Sequence, residues 1–345
     1  MVLKRGLFGS FLLFTFFAFG IVAINCPARA WGPEGHEMVG SIADRLLTTN
    51  ARQQISQILG VDLRTAGPWL DCVKSVRQQN DGSFKYVENP KFEPPCTPFK
   101  DDRGRMEDYA RRNWFDCFYS TNGTDNAGCH NTYHFDDVDI QRDRFDRNDQ
   151  GTNNHDLVAA INAAIAVLLD RPAPPPSSIK DKKEALLMLA HLVGDLTQPL
   201  HVGAVYLDNS GDLVDPDVTH TIDPGTETLG GNAILDMGAN LHAEWDNIPV
   251  DLQDGNATPE LVQAAKDQPG NGDRIENWSA AWATDTLLVA QQAFAGLSFV
   301  KGDNNKWLVS FSDRDAYVRE ADTIKRRQLA KGGAHLAAIM NSIWP

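Results

Sequence analysis

The sequence predicts a single all-α domain with long, disulfide-pinned loops and at most a small β-hairpin. Apolar residues recur at helical spacing along most of the chain. Strand signals are few. No linker or low-complexity tract divides the 345 residues.

The elements follow in order. Val39, Ile42, Ala43 and Leu46 repeat at helical spacing, and Ile55, Ile58 and Leu59 follow. Asn154-His155-Asp156 caps an apolar helix through Ala159, Ile161, Ala164, Val167 and Leu168. Ala185 to Val193 is another helix. Ala280 to Ala295 and Tyr317 to Ile343 are long and amphipathic, with Gly332-Gly333 the expected break in the last. The best strand signal is Ala204 to Leu207, where Asn209-Ser210-Gly211 could close a hairpin. Asn80 to Asn131, rich in Pro, Gly, Asn and Cys, reads as a loop. Asp208 to Gly231, rich in Asp, Gly and Thr, reads as a surface loop, with a lid or a calcium loop as alternatives.

The amino terminus has its own logic. Lys4-Arg5, an apolar run from Leu7 to Ile24, and Ala28-Arg29-Ala30 form a secretory leader with a small-x-small cleavage site. A membrane anchor is the alternative, since the run is nearly long enough to span. Cleavage after Ala30 leaves residues 31–345 as one domain beginning at Trp31. The expected product is a secreted or periplasmic monomer without stable membrane association.

The chain has 32 basic and 46 acidic residues, a net charge of −14, and loses Lys4, Arg5 and Arg29 with the leader. That argues against a broad basic patch for duplex nucleic acid. It leaves nucleic acid open as a substrate if bound metals supply the positive charge. Cys26 leaves too. Cys72, Cys96, Cys117 and Cys129 suggest two disulfides with three possible pairings. Zinc binding by these cysteines is disfavoured because no C-x-x-C occurs. Asn122, Asn256 and Asn277 open glycosylation sequons.

Chemistry concentrates in two His/Asp couples. His191-Leu-Val-Gly-Asp195 is followed by His201, and Asn240-Leu-His242-Ala-Glu-Trp-Asp246 comes about forty residues later. A spacing of four puts imidazole and carboxylate on one helix face, one turn apart. Nitrogen and oxygen donors stacked this way suit a borderline cation, zinc above all. His36 begins an apolar helical face, His134 lies in a mixed apolar and acidic string, and Asp71 ends an apolar turn. Taken alone, each reads as an ordinary packed or capping residue.

Co-occurrence changes that reading. Trp31-Gly-x-x-Gly-His36, Trp69-x-Asp71, Tyr133-His134-Phe135, His191 to His201, Gly230-Gly231-Asn232 and Asn240 to Asp246 appear in this order. Together they resemble the zinc-dependent single-strand nucleases and 3′-nucleotidases, which are related to the zinc-dependent phospholipases C. The motifs reach Asp246; beyond it the likeness is only helical. The resemblance implies an exported all-α enzyme holding three Zn2+ in one cleft. One zinc would take Asp71, His134, His191 and Asp195. A neighbour would take the terminal amine and carbonyl of Trp31, His36 and again Asp195. The third would take His201, His242 and Asp246. The amine exists only after leader cleavage, so the precursor would lack a complete site; an α-amine titrates near neutrality and can bind metal.

The implied substrates are single-stranded DNA and RNA and 3′-nucleotides, cleaved at P–O3′ to leave 5′-phosphates. Asp71, Lys74 and Asp195 carry the catalytic expectation. Lys74, Phe135 and Asp137 are the substrate-binding candidates, with ordinary core as the alternative for Phe135. Base stacking suits unpaired strands. The chain departs from the family's usual pattern at Thr197, where a His is common, at Lys74, where Arg is common, and in a longer loop between His201 and Gly230. Two rivals stand beside this reading. A phospholipase C would have a longer gap from Trp31 to the first His, and a Glu in place of Asp246. A non-catalytic zinc protein would more often use closed, Cys-rich sites.

Overall fold

The computed structural model describes residues 31–90, 93–114, 128–272 and 274–345. The expected leader, Cys117 and Asn122 lie outside them. The first helices are α1 (Pro33–Leu46), α2 (Thr49–Leu59), α3 (Leu63–Ala66) and α4 (Trp69–Val73). Then come α5 (Glu93–Cys96), α6 (Arg103–Arg112), α7 (Leu157–Leu168) and α8 (Lys182–Asp195). The rest are α9 (Pro199–Val202), α10 (Pro216–Thr219), α11 (Leu241–Asp246), α12 (Pro259–Lys266), α13 (Ile275–Phe294) and α14 (Arg314–Ile343).

Local chemistry sets many of these ends. Thr48, Asp156, Asp181, Thr258 and Asp313 each accept a bond from a backbone N–H in the first turn of the helix they cap. Helix α8 is buried at every position from Glu184 to Asp195, as a helix at the centre of a core must be. It packs against α7, α14, α1, α2, α3 and α4, so the ligand motif at its end is held on several sides.

The structure is mostly helical, as expected, and its sheets are small but extend beyond a single hairpin. Val76–Gln78 and Phe84–Tyr86 pair antiparallel. Val138–Asp139 and Gly203–Ala204 pair in parallel. A four-stranded sheet joins Ala239–Asn240, Ile234–Asp236, Trp307–Phe311 and Leu297–Lys301, in that order. The hairpin expected after Ala204 survives only as isolated bridges, Leu207 to Leu213 and Tyr206 to Glu227.

Two other expectations are corrected. Helix α14 runs unbroken through Gly332-Gly333. A Cβ at Gly333 would lie 2.3 Å from Ile42 Cγ2, and one at Gly332 would lie 3.0 Å from Val39 Cγ2. These glycines let α1 and α14 approach closely, a gain that outweighs their helix-weakening tendency. The stretch from Asn80 to Asn131 contains α6 rather than loop alone. Its apolar stripe is only Met106, Tyr109 and Ala110, too sparse to read as a period. Ion pairs to the start of α8 help anchor it: Arg112 grips buried Glu184 at 2.7 and 2.8 Å, and Arg105 reaches Asp181 at 2.9 Å. Cys72 and Cys96 form a disulfide, and Cys129 is also disulfide-bonded. No helix among the described residues is long and apolar enough to cross a membrane.

Candidate metal centre

Eight of the predicted residues converge in two buried groups. The first holds His36 from α1, Asp71 from α4, His134 from the 3-10 turn Cys129–His134, and His191 and Asp195 from α8. The second holds His201 from α9 with His242 and Asp246 from α11. Within each of three sets, candidate donor atoms lie within 4.8 Å of one another: His36, Asp71 and His191; His134, His191 and Asp195; His201, His242 and Asp246.

In the first group, Asp195 divides its oxygens. Oδ1 lies 3.4 Å from His36 Nε2, while Oδ2 lies 2.9 Å from His134 Nδ1 and 3.3 Å from His191 Nε2. His191 Nε2 is 3.8 Å from Asp71 Oδ1 and 3.1 Å from His134 Nδ1. Its other nitrogen meets the Gly67 carbonyl at 2.8 Å, which requires the proton on Nδ1 and leaves Nε2 as a donor to metal. His36 stacks on His191 with centroids 3.6 Å apart, and neither of its ring nitrogens has a hydrogen bond. Lys74 Nζ closes on Asp71 Oδ1 at 2.9 Å and remains partly exposed.

The second group repeats this polarity twice. His201 Nδ1 meets the His134 carbonyl at 2.5 Å, and His242 Nδ1 meets the Gly230 carbonyl at 2.6 Å. Both Nε2 atoms are therefore lone-pair donors, yet they face each other at 3.0 Å. Asp246 presents Oδ1 at 3.8 Å to His201 and Oδ2 at 3.6 Å to His242. Each buried polar group left without a partner costs about 1–3 kcal/mol. Facing lone pairs beside a carboxylate ask for a cation. All-nitrogen-and-oxygen donors with orienting carbonyls behind them suit zinc.

Burial lowers the pKa of His36, His134 and His201 well below the usual imidazole value, and that of His242 to about 4. Low values favour the neutral, ligating form. Burial opposes charge on His191 too, but Asp195 and Asp71 outweigh it and hold its pKa up. Burial would raise Asp71, yet Lys74, His191 and His36 outweigh it and hold that carboxylate low. Burial lifts Asp195 to about 6.

The remaining predicted residues border the groups. Trp31 is fully buried. A Cβ at Gly194 would lie 2.9 Å from His36 Nδ1 and 3.7 Å from Trp31 Cδ1, so this glycine lets the N-terminal segment sit against α8. Gly32 N–H donates to the Asp246 carbonyl at 2.9 Å, tying the expected mature terminus to α11. Thr197 Oγ1 accepts from Trp31 Nε1 at 3.4 Å and donates to the Gly194 carbonyl, so the Thr found where a His is common is packed into the scaffold. Asp137 has φ 61°, and a Cβ at Gly230 would sit 3.1 Å from its Oδ1. Burial and then Glu227 raise the pKa of Asp137 to about 7. Phe135, beside His134, is half-buried in extended backbone.

Sequence reading missed several supports. Gln198 Nε2 donates to Asp246 Oδ1 at 2.7 Å. Lys325, Gln328 and Tyr317 of α14 bond to segments that carry ligands. The available signal was a Lys and a Gln in phase with Ala321, Ile324 and Leu329 on the apolar stripe. The loop 208–231 falls in none of the three donor sets.

Comparison with known proteins meets this geometry. The S1/P1 Nuclease family profile matches residues 31–114 and 113–345. Endonuclease 5 of Arabidopsis thaliana is 22% identical over 340 residues, covering 92% of this chain and 91% of its own length. Endonuclease 2 of the same plant is 24% identical, with 92% and 91% covered. Endonuclease 4 is 23% identical, with 92% and 90% covered. With a family match across both donor groups and the helices that hold them, the chain belongs to the S1/P1 nuclease family.

Proposed function

We propose that this nuclease is an exported tri-zinc enzyme hydrolysing single-stranded DNA and RNA to 5′-phosphorylated products, with 3′-nucleotidase activity. The observation that carries the reading is Asp195, whose two oxygens face different imidazoles in a buried cluster. Asp71, His134, His191 and Asp195 would hold one ion. The amine and carbonyl of Trp31, His36 and Asp195 would hold a second, and His201, His242 and Asp246 a third.

Bound zinc would lower the pKa of a water and neutralise phosphate charge. The chain's own groups do the positioning. Gly67, His134 and Gly230 carbonyls fix the ring orientation of His191, His201 and His242. Lys74, partly exposed beside Asp71, offers a point charge to a phosphate oxygen. Asp137, whose Oδ1 approaches the Gly230 backbone, and Phe135, half-buried next to His134, would receive a base. Water attacks phosphorus in line and the 3′-oxygen leaves, so the phosphate stays on the 5′ side. A nucleoside 3′-phosphate loses its phosphate by the same bond cleavage.

The test is incubation of the protein beginning at Trp31 with single-stranded DNA, RNA, 3′-AMP and phosphatidylcholine, with and without chelator. Cleavage of the first three, lost on chelation and restored by zinc, is expected. Lipid cleavage without nucleic-acid cleavage would establish the phospholipase reading instead.

A further inference from the structure

We infer that Lys325, on the C-terminal helix, is a positioning residue for the His201–His242–Asp246 group; the inference rests on the tri-zinc reading above. The argument starts from α11. Six residues are too few to hold a helix by themselves, and the last carbonyls of any helix lack intrahelical partners. Yet α11 carries two of the three donors of its group. Lys325 Nζ donates to the Glu244 carbonyl at 2.7 Å and to the Asn247 carbonyl at 2.8 Å. It closes the C-terminal end of the short helix, where a positive charge is stabilised by the negative end of the helix dipole.

Lys325 is an odd choice for packing alone. It is only 5% exposed, and burying an ammonium is costly unless its hydrogens find partners. Its hydrogen bonds go to the backbone that flanks Asp246, not to a carboxylate of its own. The ammonium also lies 5.7 Å from the ring centre of Trp245, between the two ligands on α11. That indole donates to Tyr317 Oη at 2.7 Å. One turn after Lys325, Gln328 Nε2 donates to the Thr197 carbonyl at 2.8 Å, on the segment joining Asp195 to His201. One face of α14 thus holds both segments that build the second group.

The test measures zinc release one ion at a time, using an excess of chelator and a colorimetric zinc indicator on the zinc-loaded full domain. In Lys325→Met, one zinc of three should leave about tenfold faster, the usual scale for losing an outer support of a metal ligand. The other two should leave at the parental rate, and Lys325→Arg should restore the slow phase. Lys325→Gln keeps N–H donors but loses the charge and some reach, and should show the same selective loss more weakly, which covers the case that the Met variant does not fold. Release of all three ions at parental rates, or equal acceleration of all three, would overturn the inference. A parent protein that never holds three zincs would overturn the tri-zinc reading instead, before any variant is made.

Discussion

The two donor groups reach similar chemistry by different constructions. The first gathers four segments, α1, α4, a 3-10 turn and α8, around the inside of the core. Of its three rings, His191 alone has a carbonyl behind it, and neither ring nitrogen of His36 has a hydrogen bond. Packing holds these rings, with Asp195 at their centre. The second group rests on two short helices, and both its rings are aimed by carbonyls. Gln198 steadies its carboxylate and α14 clamps the helix end. Both groups are buried, but the first draws its rigidity mainly from packing around Asp195, and the second from the carbonyls and the amide behind its donors.

The comparison can be broken most forcefully at Asp195. In Asp195→Asn one oxygen becomes an amide that cannot bind metal as a carboxylate does. Elemental analysis should show two zincs lost, and cleavage of single-stranded DNA should fall on the order of a thousandfold, about 4 kcal/mol of barrier. Loss of a single zinc would mean that the carboxylate is not shared. His242→Ala should remove one zinc and spare the others, with a fall in activity of about a hundredfold. If that variant instead empties the whole centre, the two groups are one cooperative unit.

The smallest effect separates burial from metal chemistry. His335 is stacked on Trp282 at 4.0 Å, and burial lowers its pKa from 6.5 to about 3. An unfolded histidine gains a proton below 6.5, while folded His335 stays neutral until about 3. The unfolded state therefore binds the extra proton across that window, and stability falls as pH drops through it, with no contribution above 6.5. His335→Phe should flatten the acid side of the thermal-melt profile by at most about 1.4 kcal/mol per pH unit. An unchanged slope would show that His335 already ionises in the fold.

Much of the centre was legible because helical spacing is a local property. His191 to Asp195 and His242 to Asp246 span one turn each, and the side chains do meet, at 3.3 and 3.6 Å. Long apolar periods likewise revealed α7, α8, α13 and α14. Helix α6 was hidden because its anchors, Glu184 and Asp181, lie about seventy residues away. Strands Leu297–Lys301 and Trp307–Phe311 were hidden because Val300 and Leu308 are apolar on the exposed face and break the short alternation.

By itself, the sequence determined the donor types, the two helical couples and the mostly helical fold, since these follow from residue chemistry and short-range geometry. The tertiary structure decided which donors share a space and what orients each ring. It also turned Gly332-Gly333 from an apparent break into a contact with α1, and an unremarked Lys325 into the clamp on α11. Those outcomes depend on contacts between segments up to three hundred residues apart, and no local pattern encodes a distance of that kind.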